Sequence, residues 1–267
     1  MHPDPVAVQA ATAAGVARYG ATAWQTRVDL AACYRLVDHF GMCDLISNHI
    51  SARVPGTEHF LINPFGLMYE EITASSLITV DVRGNVLDNP NPDHTINLAG
   101  YVIHSAVHEA RADVGCVLHT HTVAGIAVAA LQCGILPISQ SAMRFAQVAY
   151  HDFEGVAFEE AEKQTLVRDL GDADAMILRN HGLLVASASI AQAFNTMYRL
   201  ERVCQIQVAA MACNSPLIQP APKLVHKAHA QYMANPAALG KAAQPLGVLE
   251  WPAMLRLLDR RDPSFRL

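Results

Sequence analysis

The stretch Cys116-Val117-Leu118-His119-Thr120-His121-Thr122 constrains this chain more than any other. An aliphatic run that stops abruptly reads as a buried strand, and this one stops in two histidines one residue apart. On an extended strand residues i and i+2 share a face, so His119 and His121 are expected to project side by side. A second run, Met176-Ile177-Leu178-Arg179-Asn180-His181-Gly182, repeats the layout with one histidine in the polar turn. Gly182 would let the backbone turn sharply or approach a neighbour closely. Three neutral imidazoles with open positions form a catalytic rather than a structural metal arrangement. Zinc is the first expectation, and Mn, Fe, Co or Ni also accept nitrogen ligands. The competing reading is a set of histidines hydrogen-bonded at a sheet edge.

The surrounding pattern mixes hairpins with helices. Residues 1–23 are rich in Ala, Gly and Thr and weakly patterned, which suggests a mobile or loosely helical arm. From Trp24 an amphipathic helix runs to Phe40, with Gly41 as its C-cap. Ile50–Val54 and His59–Ile62 pair around Pro55-Gly56, and Ile78–Val82 and Asn85–Leu87 form a second hairpin. A Pro/Asn loop leads into a helix over Thr95–Ala110. Further helices are expected at Glu159–Leu170 and Ile190–Cys213, with strands at Ala175–Leu178 and Leu183–Ala186. A domain over 24–214 would then be followed, over 215–267, by a Pro-rich linker and a helical tail near Val248–Asp259 packed on it. There is no clean βαβ alternation, which predicts an α/β fold with helices on both faces of a mixed or antiparallel sheet.

Composition narrows the function classes. Hydrophobic residues make up 52% of the 267 and charged residues 16%, which favours a compact, oligomeric globule over a disordered chain. A net charge of −5 gives no electrostatic reason to expect nucleic acid or an anionic membrane as partner. The six cysteines form no Cys-x-x-Cys pair and several sit in apolar runs, so a reducing cytoplasm is expected. The first residues lack the layout of a secretory signal, and the most apolar long stretch, Thr122 to Leu136, is too short and interrupted to span a bilayer.

Several motifs together resemble the class II aldolase/adducin family, in its adducin-head-like branch. They are Tyr34-Arg35-Leu36-Val37-Asp38, Asn48-His49-Ile50-Ser51-Ala52-Arg53, His119-Thr120-His121-Thr122, Cys133 to Ser139, Val148 to Gly155 and Leu178 to Leu183. The likeness runs from about Arg27 to Ala212. It implies a three-layer α/β/α sandwich around a mixed, mostly antiparallel sheet, assembled as a homotetramer with the site near a subunit boundary. It also implies that His119, His121 and His181 hold a divalent metal acting as Lewis acid on a small-molecule substrate.

The chain departs from the aldolase branch where the chemistry is done. The acid/base glutamate of that branch falls on Gly100, and the two serines that would hold a substrate phosphate fall on Leu98 and Ala99. The phosphate-loop Gly-Asn pair becomes Asn48-His49, and a small turn residue becomes Phe65, beside Gly66. Without its hydroxyls this is a poor phosphate site. His49 and His104 are the candidates for the missing acid/base role. The competing reading of His104, one turn after Gly100, is a helix histidine satisfied by a neighbouring strand. Asn48, Gly66 and Arg144 are candidate substrate contacts, with Arg144 alternatively covering a subunit edge. Two functions follow. One is a metal-dependent carbon–carbon lyase, aldolase- or decarboxylase-type, on a non-phosphorylated, carboxylated substrate. The other is a catalytically silent, oligomeric binding module like the adducin head.

Overall fold

The apolar runs pair into one sheet. In the computed structural model, which describes residues 4–155, 160–234 and 244–267, eight strands are β1 (His49–Arg53), β2 (Phe60–Ile62), β3 (Ile78–Val80), β4 (Val86–Asp88), β5 (Cys116–Thr120), β6 (Ala149–His151), β7 (Ala175–Leu178) and β8 (Gly182–Ser187). Their order is β4-β3-β2-β1-β5-β8-β7-β6. All neighbours are antiparallel except β6 and β7. Both histidine-bearing segments therefore belong to the sheet centre, on β5 and at the β7–β8 turn.

Side-chain alternation along the strands explains the layers. Cys116 and Leu118 of β5, with Leu183 and Val185 of β8, pack on a core that includes α2 (Ala21–His39) and α6 (Ile190–Ala212). Val117, Leu184 and Ala186 point the other way, onto Ile103 and Val107 of α3 (Leu98–Ala110) and Leu166 and Leu170 of α5 (Glu160–Leu170). Helices thus cover both faces of a mixed sheet, the expected α/β sandwich. A short helix, α4 (Val123–Ala129), leaves the sheet directly after the His-x-His.

The N-terminal arm takes the helical of the two forms the sequence suggests. Among the described residues it is a regular helix, α1 (Pro5–Tyr19), capped by Asp4, whose carboxylate accepts from the Val6 amide. It docks because Gly15 has no side chain: a methyl group there would lie 2.2 Å from the Trp24 ring. Arg27 fastens the same region, donating to the Leu77 carbonyl and the Thr79 hydroxyl at 2.8 Å each and lying 3.9 Å beneath the Tyr19 ring. Its cost of burial is offset by that full set of partners.

Among the described residues the C-terminal segment holds two α-helices. The region read as linker contains α7 (Pro222–Met233), which starts with proline at the first helical turn. The tail helix α8 (Trp251–Arg261) is tied to α2 by the Trp251 indole, which donates to Asp29 at 3.0 Å. Residues 1–3, Glu159 at the expected helix start, and residues 235–243 of the tail lie outside the described residues. Among the described residues no helix is long and apolar enough to cross a membrane.

Candidate metal centre

Strand pairing puts the histidines at one end of the sheet. His49 on β1 is the register partner of His119 on β5, and their rings stack with centroids 5.0 Å apart. His121 lies just past the end of β5. His181 sits in the tight β7–β8 turn, where Asn180 takes a left-handed φ of 55°, a conformation asparagine tolerates better than most residues. The turn can come this close because of Gly182: a methyl group on it would lie 2.3 Å from the Thr120 carbonyl oxygen. Of the two roles the sequence left open for Gly182, the structure shows close backbone approach.

The nitrogens of the three histidines converge within 4.8 Å of one another. Nε2 of His121 is 2.7 Å from Nε2 of His119 and 3.0 Å from Nε2 of His181. The proton positions follow from the other ring atoms. His119 Nδ1 is 2.9 Å from the Leu183 carbonyl, which can only accept. His121 Nδ1 is 3.3 Å from the Asp44 carboxylate, also an acceptor. With each ring's single N–H placed on Nδ1 toward these acceptors, both Nε2 atoms are bare lone pairs. Two lone pairs 2.7 Å apart repel unless a cation or a shared proton lies between them. One proton can bridge only one pair, whereas three converging nitrogens suit a metal ion. The donor set therefore fits a divalent metal, with Leu183 and Asp44 as the outer acceptors that orient the rings. Burial, then the neighbouring histidines, pushes His119 well below the ordinary imidazole range. Burial, then His121, brings His181 down to about 4. Both are neutral near pH 7, the form that binds metal.

Two supports hold the His-x-His end in place. Thr122 accepts from the Gly125 amide at 3.1 Å, capping α4, and donates to the buried Glu201 carboxylate of α6. Thr120 donates to the Met197 sulfur at 3.3 Å. Asp44 arrives on a loop in which its own amide donates to Asn48 Oδ1 at 2.6 Å. In that loop Leu45 is left-handed at φ 48°, a conformation that costs roughly 1–2 kcal/mol. The sequence reading missed Asp44, Thr122 and Glu201. Glu201 had a signal, since it falls on the buried stripe of Phe194, Met197 and Cys204, where a carboxylate needs a reason.

The remaining candidates separate. His49 is buried beside the cluster, with Nδ1 2.7 Å from His104 Nε2, and no described group hydrogen-bonds its Nε2. His104 is fully buried, and its other nitrogen bonds Ser51 Oγ. With both nitrogens engaged by His49 and Ser51, it lies behind His49 rather than in the histidine cluster. Gly100 leaves room for His49: a methyl group on it would lie 2.3 Å from His49 Cδ2. Asn48 is buried with its Nδ2 unpartnered. Gly66, at φ 105°, lies in a turn tied to the entry of α3, where the Phe65 amide donates to the Thr95 carbonyl at 2.7 Å. Arg144 is elsewhere. Its guanidinium donates to Asn195 and Thr196 and pairs with Asp174, at the end of β7 remote from His181. There it borders a cavity of about 340 Å³ shared with Arg111 and Gln192. Within one chain it does not join the histidine cluster.

Two tests follow from this packing. Alanine at an exposed helix position gains about 1 kcal/mol over glycine, yet Gly100→Ala is expected to lower the thermal midpoint because the His49 ring must move. A midpoint at or above wild type would contradict the packing. The second test concerns His108, on α3. Burial, with Arg53 adding to it, holds His108 at about 3 against an ordinary 6.5. Between those values the unfolded chain takes up a proton that the folded protein refuses, so stability falls as pH drops through that window and is complete above it. Urea midpoints near pH 7 and near pH 4.5 should fall further for wild type than for His108→Gln. Equal losses would contradict the assignment.

Comparison with known proteins agrees with the geometry. Residues 28–208 match the Class II Aldolase and Adducin N-terminal domain. A Pseudomonas aeruginosa protein named "Putative aldolase class 2 protein" is 51% identical over 255 residues, covering 94% of this chain and 95% of that one. Rat alpha-adducin is 42% identical over 243 residues, which is 87% of this chain but only 33% of the adducin. Among solved structures, an aldolase II superfamily protein from Pseudomonas syringae superposes with a TM-score of 0.84 at 45% identity, over 92% of this chain and 96% of that one. L-fuculose 1-phosphate aldolase from Glaciozyma antarctica superposes with a TM-score of 0.79 at 26% identity, over 92% and 94%. The chain belongs to the class II aldolase and adducin N-terminal domain family.

Proposed function

We propose that the chain is a metal-dependent carbon–carbon lyase, aldolase- or decarboxylase-type, acting on a small, non-phosphorylated substrate that carries a carboxylate. The observation that carries this reading is the convergence of three Nε2 atoms, that of His121 lying 2.7 Å from His119 and 3.0 Å from His181. His119, His121 and His181 would hold a divalent metal, zinc first among the candidates for a set of three imidazoles. When bound, such an ion supplies a Lewis acid for the oxyanion that develops as a carbon–carbon bond breaks.

The other roles belong to this chain's own groups. His49 acts as the acid/base, through the one ring nitrogen that no described group occupies. The unpartnered Asn48 amide donates to the substrate carboxylate, relieving a buried donor that otherwise costs about 1–3 kcal/mol. The Gly66 turn lies beside the α3 entry and borders the same end. A phosphate is disfavoured because the first turn of α3 presents Leu98, Ala99 and Gly100, with no hydroxyl among them. Decarboxylation suits this site well, because it develops carbanion charge without a glutamate first deprotonating a hydroxyl. Val123, Leu45 and Leu98 stand exposed near this end of the sheet, which supports assembly as a homotetramer with the site near a subunit boundary.

A second reading has its own support. Rat alpha-adducin matches 87% of this chain at 42% identity, so a catalytically silent oligomeric module is the alternative. Metal content and turnover separate the two. Purified protein should hold one divalent ion per chain, and His119→Ala should bind it on the order of tenfold more weakly or worse. The loaded protein should release carbon dioxide or an aldehyde from some member of a panel of β-oxo, hydroxy-aryl and hydroxy acids, and leave fuculose 1-phosphate intact. A metal-free protein with unchanged assembly would favour the module. Efficient cleavage of the sugar phosphate would overturn the substrate class.

A further inference from the structure

Apart from the histidine cluster, α2, α6 and α8 enclose a cavity of about 200 Å³ whose walls are aromatic. Tyr198, Phe40, Phe194 and Trp251 follow one another round it, with successive ring centroids 5.0, 5.9 and 6.1 Å apart. Met254 adds its thioether. Phe194 and Trp251 are buried, whereas Phe40, Tyr198 and Met254 are only half-buried. The frame is fixed on two sides. The Trp251 indole donates to Asp29 at 3.0 Å. Gly247 lets the approach to α8 press on α6, since a methyl group on it would lie 2.4 Å from the Ala191 carbonyl oxygen. An apolar cavity of roughly 150 Å³ is enough to take up benzene, so this one has room for a six-membered ring with a small substituent.

Arg199 and Glu250 line the same cavity, with side chains 37% and 43% exposed. Their hydrogen bonds decide which charge a ligand should carry. Glu250 Oε2 accepts from the Gly247 amide at 3.0 Å, and Oε1 accepts from Asn195 Nδ2 at 3.3 Å and Arg199 Nη2 at 3.4 Å. Arg199 Nε donates to Asn195 Oδ1 at 3.0 Å. These contacts orient the guanidinium and leave Nη1 without an acceptor among the described residues. Aromatic faces also attract organic cations. A cation here, however, would meet Arg199 and a carboxylate already engaged on both oxygens. A carboxylate would meet a guanidinium nitrogen with both protons free, and such a charge-assisted bond is a strong one.

We propose that this cavity binds a small planar aromatic carboxylate, with its ring among Phe40, Phe194, Tyr198 and Trp251 and its carboxylate on Arg199 Nη1. The ring displaces water that finds few polar partners on these walls, which favours binding, and the guanidinium sets the orientation. The site shares no residue with the histidine cluster. It therefore goes beyond the proposed lyase reaction and does not depend on a metal at that cluster.

Benzoate is the probe, and calorimetry on the wild-type protein measures its binding. The chain has two tryptophans, so Trp24→Phe leaves Trp251 as the fluorescent reporter of where the ligand sits. The expected result is saturable binding with a matching change in Trp251 emission. Cyclohexanecarboxylate, which is not planar, and benzyltrimethylammonium, which has the opposite charge, should both bind more weakly. Arg199→Gln should weaken benzoate on the order of tenfold, and Ala191→Leu, which fills the cavity, should abolish binding. His119→Ala should leave benzoate binding unchanged. The absence of saturable binding to the wild-type protein overturns the proposal, whether or not the variants fold, and so does tighter binding of the ammonium probe. Benzoate binding that survives Ala191→Leu but is lost in His119→Ala places the carboxylate at the histidine cluster. That result overturns this site and leaves the proposed lyase standing.

Discussion

The site depends on where two protons sit. The Leu183 carbonyl holds the His119 proton on Nδ1 at 2.9 Å, and the Asp44 carboxylate holds the His121 proton on Nδ1 at 3.3 Å. Each is an ordinary hydrogen bond. Together they turn two lone pairs toward each other and toward His181, an arrangement that is unfavourable without positive charge between them. Secondary structure sets both acceptors: Leu183 faces Thr120 in the β5–β8 ladder, and Asp44 rides a loop closed by Asn48. The centre is thus built by strand register and one loop, with the histidines supplied at their ends.

Other parts of the fold serve this arrangement by keeping backbones close. Gly182 allows the β7–β8 turn to press on the Thr120 carbonyl, and Gly100 allows α3 to press on the His49 ring. Glu201 reaches up from α6 to Thr122 and fixes the exit of the His-x-His turn. A buried carboxylate is costly unless hydrogen-bonded, and Gln205 and Thr122 supply its partners. The opposite end of the sheet carries its own buried charge, Arg144, held by Asn195, Thr196 and Asp174.

Much of this was legible in the sequence, for specific reasons. Periodicity marked α2, α3 and α6 within a few residues, because each lays an apolar stripe on the sheet. The two apolar runs ending in histidine announced themselves because both stop abruptly in polar residues. The arm stays open between mobile and helical in the sequence because α1 is small-residue-rich and has one buried position, Gly15, so amphipathic patterning has nothing to report. The approach to α7 reads as linker because prolines dominate it, although proline at a helix start is favourable. Pairwise partners were beyond reach: nothing in the spacing says that Asp44 meets His121 or that Ser51 lies between His104 and His108. The sequence leaves Arg144 between a substrate contact and a subunit edge, and only packing reveals its partners within the chain, Asp174, Asn195 and Thr196.

The central claim is that three imidazoles converge on one cation, and X-ray absorption at the zinc edge of the loaded protein tests it most directly. The account predicts a first shell containing three nitrogen scatterers at about 2.0–2.1 Å, with the outer-shell scattering of three imidazole rings. It also predicts that the ring contribution falls to two in the His181→Ala protein. A first shell of oxygens alone, or a spectrum unchanged by His181→Ala, would contradict it.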